Sequence, residues 1–159
     1  TPDEIREGMK TFQGVDRRFD FKMKSDKVVL LSDYAHHPAE VRQSILSVRE
    51  VFDGRRITGI FQPHLYTRTR EFAESLSLLD EVILLDIYPA RELPIEGVSS
   101  KLIYDHLRAD MKKHLCDKSA LLPLLKQEET DVVMVLGAGD VDAMVPQIAQ
   151  MLKEKYNII

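Results

Sequence analysis

Short apolar runs alternate along this chain with stretches whose apolar residues recur at helical spacing. KVVLLSDY (27–34) is short, β-branched and bounded by charge, which predicts a buried strand. PAEVRQSILSVREVF follows, with Pro38 placed as a first helical residue and Val41, Ile45, Val48 and Phe52 on one face. The alternation continues with a strand at 56–62, a helix from about Thr67 to Leu79 that turns Phe72, Leu76 and Leu79 inward, and a strand at 81–88. A helix is expected to start near Ser99 or Ser100, either of which could cap it. CDKSALLPLLKQEE reads as a short connecting helix interrupted by Pro123, and DVVMVLGAG (131–139) as another buried strand. Asp140 is placed to cap a final helix bearing Val141, Met144, Val145, Ile148, Met151 and Leu152, in which Pro146 makes a kink or begins the regular part. At the start, TPDEIREGMKTF is a short helix, and RRFDFKMK (17–24) alternates as an edge strand.

Strands separated by crossover helices predict an α/β fold. The expected class is a three-layer, Rossmann-like domain: a mainly parallel sheet, helices on both faces and an antiparallel edge strand. In such sheets ligands bind beyond the carboxyl ends of the strands. The unusual polar residues of this chain fall at those ends: Asp33 to His37, QPHLYTRTR (62–70), DIYPARE (86–92) and GAGD (137–140). Four loops are therefore expected to converge on one rim.

Composition narrows the picture. The 159 residues fit one domain, 44% of them apolar and 30% charged. A net charge of −4 gives no overall pull toward nucleic acid or acidic membranes. The single cysteine, Cys116, excludes an internal disulfide and suits a reducing compartment. No apolar run approaches the ~20 residues of a membrane span, and no signal peptide is visible. The chain opens on Thr1 rather than Met, so it is expected to be a piece of something longer.

In DYAHHP an acid and imidazoles stand beside a helix start, whose free N–H groups attract anions; the plain alternative is a turn in which His37 caps the helix. Residues 55–70 hold Arg55, Arg56, Arg68 and Arg70 and no acid. Positive charge at a helix start opposes the dipole unless an anion is present, so an anion site is favoured over a solvated face. LGAGDVD departs from a dinucleotide fingerprint, because Asp142 stands where the third glycine belongs, and a tight turn is the better reading. No GxxxxGK phosphate loop followed by Ser or Thr occurs. Asp33, His36, His37, His64 and Asp86 could in principle hold a metal, but no helix-spaced ligand pair supports them and the expectation is no metal site. His106 and His114 read as ordinary surface or interface residues.

The succession DYAHHP, FQPHLYTRTR, LLDIYPARELPIEG and LGAGD resembles the C-terminal domain of the bacterial Mur ligases, in the member that acts first in adding amino acids. The likeness runs from FQGVDRRF (12–19) to the end, and implies that residues 1–11 are the tail of a preceding central ATP-binding domain and 12–159 the C-terminal domain. It implies a bacterial, cytoplasmic, ATP- and Mg2+-dependent ligase, the Mg2+ bound mainly by the central domain. That enzyme joins L-alanine to UDP-N-acetylmuramate through an acyl phosphate in peptidoglycan synthesis. On this likeness Asp33 and Tyr34 face the nucleotide, and His36, His64 and Arg68 line the catalytic site. His64, Arg68 and Arg70 contact substrate, Arg68 meeting the alanine carboxylate. The partners implied are the missing N-terminal and central domains, with no nucleic acid and no membrane. Leu65 stands where many relatives have arginine and Ala35 where many have glycine; the diaminopimelate-adding member's Asp-Asn-Pro-Arg motif is missing. Two rival readings are a free-standing nucleotide- or anion-binding regulatory module and a metal-dependent phosphoesterase using Asp33, His36 and His64.

Overall fold

The computed structural model describes all residues except 13, 65, 67–70 and 159. Six strands form one sheet in the order β1-β2-β6-β3-β4-β5: β1 (Asp20–Lys24), β2 (Val29–Asp33), β3 (Ile57–Phe61), β4 (Glu81–Leu85), β5 (Lys112–Cys116) and β6 (Val132–Leu136). Every neighbouring pair is parallel except β1 with β2, which is antiparallel and carries an irregularity between Phe21 and Met23. The expected three-layer fold with an antiparallel edge strand is the observed one.

The period-2 alternation of each strand divides the core. Val29 and Leu31, Ile57 and Phe61, Val82 and Leu84, and Met134 and Leu136 pack on one face with α2 (Pro38–Val51), α3 (Phe72–Leu76) and α4 (Lys101–His106). Leu30, Ile60, Ile83, Leu85, Val133 and Val135 pack on the other with α5 (Lys118–Gln127) and α6 (Val145–Tyr156). Each fully buried Leu, Ile or Val contributes roughly 1.5–3 kcal/mol, so the central strands anchor the rim from which the loops rise.

Several elements differ from expectation. β5 was not foreseen: KKHLC is an edge strand with only partial burial, so it lacks the continuous apolar run of its neighbours. Consequently His114 is a strand residue facing buried partners, not an ordinary surface histidine. Pro123 does not interrupt α5, because it lies on the exposed side and the carbonyl it frees belongs to exposed Ser119. α4 starts where expected, and of the two serines Ser99 serves its start, its hydroxyl accepting from the Lys101 N–H at 3.3 Å, whereas Ser100 makes no cap bond and its hydroxyl donates to the Leu85 carbonyl at 2.5 Å. Asp140 makes no cap bond either, and precedes a 3-10 turn (Val141–Met144) that leads into α6, where Pro146 occupies the first turn. The segment expected as helix from Thr67 is described only from Glu71 on, and there Phe72, Leu76 and Leu79 are buried.

The N-terminal helix α1 (Pro2–Thr11) has a capping box between Thr1 and Glu4 but buries no residue. Ile5, Met9 and Phe12 are exposed along it. No helix among the described residues is long and apolar enough to cross a membrane.

Candidate functional site

The rim at the carboxyl ends of β2, β3, β4 and β6 is drawn together by bonds between its loops. The Gly137 N–H donates to the Asp33 carbonyl (3.2 Å), Gln62 N–H to the Leu136 carbonyl (3.2 Å) and Tyr88 N–H to the Pro63 carbonyl (2.8 Å). The Glu92 carboxylate accepts from the Tyr66 N–H at 2.7 Å.

Four rings line this rim in sequence. Tyr34 meets His36 edge-on with centroids 5.2 Å apart, His36 meets His64 at 6.3 Å, and His64 stacks on Tyr88 at 6.1 Å with planes 22° apart. The imidazoles expected after β2 and β3 therefore face one space. His36 Nδ1 lies 3.2 Å from the Tyr34 carbonyl oxygen and 3.3 Å from the Glu40 carboxylate. Both neighbours accept, so a proton is assigned to Nδ1. The Glu40 carboxyl is held below its ordinary range, first by the His36 backbone N–H that donates to it. Burial, and then the neighbouring His36, push the His64 imidazole below its ordinary value, against an opposing pull from Glu92. A lowered value keeps His64 neutral, able to accept a proton or hydrogen bond.

His37 takes the other role foreseen for it: its Nδ1 accepts from the Ala39 N–H at 3.3 Å, capping α2. Asp33 is half-buried, and its carboxylate accepts from the Ser44 hydroxyl of α2 at 2.6 Å. That bond fixes the turn carrying Tyr34. Among the described residues, Asp33, His36 and His64 do not form a three-ligand metal group. Asp86 is exposed. Arg68, Arg70 and Leu65 lie outside the described residues.

Of the four arginines read together along the sequence, Arg55 and Arg56 are described, and they do not serve the carboxyl rim. Arg55 and Arg56 precede β3, whose five residues span roughly 16 Å. Arg55 donates to the carbonyls of Lys27 and Asp131 and Arg56 to Glu81, so both serve the opposite rim. Arg17 and Arg18 bring positive charge to the carboxyl rim, their guanidinium carbons standing 4.7 and 5.1 Å from the Tyr34 ring centroid. Arg17 has φ of 60° and Phe19 of 48°, a left-handed backbone that costs such residues about 1–3 kcal/mol each. The segment is held there by the Tyr34 N–H on the Arg17 carbonyl (2.7 Å) and by Arg17 on Asp142 (3.3 Å). The signal was present in GVDRRF as two adjacent arginines, but nothing in the sequence tied them to Tyr34.

The described residues that do group as metal-capable ligands are Glu81, His114 and Glu128, at the opposite rim. Arg56, Lys112 and Thr58 already meet those carboxylates, which makes the group an ion-pair network. Burial pushes the Cys116 thiol up to about 11, so it is not a nucleophile near neutral pH.

Comparison with known proteins adds an independent line. The family described as "Mur ligase, glutamate ligase domain" matches residues 17–139. A protein of Phocaeicola vulgatus named UDP-N-acetylmuramate–L-alanine ligase is 60% identical over 159 residues, covering 98% of this chain and 35% of its own length. One of the same name from Parabacteroides distasonis is 57% identical over 155 residues, covering 95% of this chain and 33% of its own. The crystal structure of the UDP-N-acetylmuramate–alanine ligase of Thermotoga maritima superposes with a TM-score of 0.72 at 28% identity, over 93% of this chain and 32% of that one. The chain thus spans about a third of the length of the curated relatives it matches.

Proposed function

This chain belongs to the Mur ligase family, and we propose that it is the C-terminal domain of a bacterial, cytoplasmic ligase joining L-alanine to UDP-N-acetylmuramate. The observation that carries this reading is the rim where His36 and His64 face one space beside the arginine-flanked Tyr34. The shared name of the relatives above supports the choice of amino acid and acceptor.

In the proposed reaction ATP activates the lactoyl carboxylate as an acyl phosphate, with Mg2+ held mainly by the central domain. The amine of L-alanine then attacks the acyl carbon, the C–O bond to phosphate breaks, and an amide remains. This domain supplies position and charge rather than a nucleophile. Arg17 and Arg18 offer positive charge beside Tyr34, which with Asp33 faces the nucleotide. A neutral His64 can take a proton from the incoming ammonium, and Nε2 of His36 can accept from the same amine or, when it carries a proton, donate to the transferred phosphoryl group. Arg68 is assigned to the alanine carboxylate and Arg70 to a supporting contact.

We assign residues 1–11 to the end of the preceding domain and 12–159 to the C-terminal domain; α1, which buries none of its residues, supports this division. A turnover assay with ATP, L-alanine and UDP-N-acetylmuramate tests the whole reading. The full-length protein is expected to release phosphate and form the amide, while residues 1–159 alone form none. Product from the short chain, or none from the long one, overturns it.

A further inference from the structure

Gln62 is only 2% exposed, although it is a polar residue directly after β3. Its Nε2 donates to Asp140 Oδ1 at 3.0 Å, and its Oε1 accepts from the Val141 N–H at 2.9 Å. Asp140 is itself anchored: burial pushes its carboxyl up, but the Lys118 ammonium and the Gln62 amide outweigh that and hold it below its ordinary range. One carboxamide thus ties the loop after β3 to the loop after β6. Pro63, next in the chain, has a fixed φ, and its carbonyl accepts from Tyr88, whose ring stacks on His64.

The glycines of GAG carry an independent trace of this arrangement. A Cβ on Gly137 would stand 2.6 Å from the Gln62 carbonyl oxygen. A Cβ on Gly139 would stand 2.2 Å from Gln62 Oε1 and 2.9 Å from Tyr88 Cβ. Gly139 is not in a left-handed conformation, so its backbone does not demand glycine. The close approach of Gln62 and Tyr88 does.

We propose that Gln62 is a positioning residue that sets where His64 stands on the rim, by locking the loop after β3 onto the loop after β6. The proposal deepens the reading of the rim as the amide-forming face and rests on it for its kinetic consequence. Hydrophobic packing could bury this corner as well. A polar latch with two directed bonds fixes a loop to a defined place, which apolar contact does not.

The test is a polarity exchange in the full-length protein. Gln62→Glu keeps an acceptor for Val141 but loses the donor and sets a carboxylate against Asp140. Adding Asp140→Asn returns a donor from the other side. The single variant is expected to lose on the order of 100-fold in kcat/KM for L-alanine, as a displaced site group would. The Cε1–Hε1 cross-peak of His64 moves with it. The double variant is expected back within about threefold of the natural protein, with the cross-peak returned. A role confined to stability lowers the melting temperature and leaves the cross-peak of the folded protein in place; that result, or a folded double variant with no recovery, overturns the proposal. If Gln62→Glu does not fold, Gly139→Ala is read instead: its methyl displaces the carboxamide and moves the His64 cross-peak, and an unmoved cross-peak overturns the latch. Absence of ligation by the natural protein strikes the functional reading alone, because the cross-peak test needs no turnover.

Discussion

At the amino-terminal ends of the strands, Glu81 is wholly buried, and charge meets charge: Arg56 and Thr58 donate to Oε2 at 3.1 Å each, and His114 Nε2 lies 3.1 Å from Oε1. Lys112 and Glu128 complete the group. At the carboxyl ends, Tyr34, His36, His64 and Tyr88 touch one another through ring faces and edges, and the described contacts of His36 use Nδ1 and leave Nε2 over. Both rims collect histidine, carboxylate and arginine. Residue types alone therefore do not mark a site; what separates the two rims is that the amino rim pairs its charges with one another, while the carboxyl rim gathers rings beside imidazole nitrogen that the described residues do not pair.

If that distinction is right, damage at the two rims has different signatures. The largest effect is expected from Glu81→Ala, which takes from the buried Thr58 hydroxyl and from the part-exposed Arg56, Lys112 and His114 the wholly buried carboxylate they share, and costs about 3–5 kcal/mol of stability in chemical denaturation. Turnover per folded molecule should stay unchanged; a specific loss of activity would erase the contrast. Next comes Arg68→Ala, expected to reduce kcat/KM for L-alanine by the equivalent of about 2–4 kcal/mol, for a carboxylate left without its partner, with stability little altered. Steady-state kinetics at varied L-alanine checks it, and unchanged alanine kinetics would remove Arg68 from the site.

The smallest effect is a pH dependence. Burial lowers the folded-state value of His64 below the ordinary 6.5. The folded state disfavours its charged form, so the associated stability is complete above that ordinary value and is lost as pH falls through the lowered one. Denaturation midpoints measured across this window should show a shallower acid loss for His64→Ala than for the natural chain. Equal slopes would contradict the assignment.

Much of the fold was legible because β2, β3, β4 and β6 are covered on both sides, and burial on two faces writes near-continuous apolar runs such as VVLL and VVMVL. β5 escaped because an edge strand needs fewer apolar residues, and KKHLC spends its polar ones on Tyr104, Glu81 and Glu128. The meeting of His36 and His64 followed from their place after parallel strands. Arg55 and Arg56 were misplaced because they precede β3, a whole strand away from the carboxyl rim. Gln62 gave no signal: a polar residue after a strand reads as solvated until its partners seventy-eight and seventy-nine positions away are seen.

The central claim is that the carboxyl rim is the working face and the amino rim a structural one. It is tested most directly by measuring L-alanine-dependent phosphate release, per folded molecule, for His64→Ala and Glu81→Ala side by side in the full-length protein. His64→Ala is expected to lose on the order of 100-fold and Glu81→Ala to keep natural turnover. Natural turnover for His64→Ala, with the loss falling on Glu81→Ala instead, would contradict it.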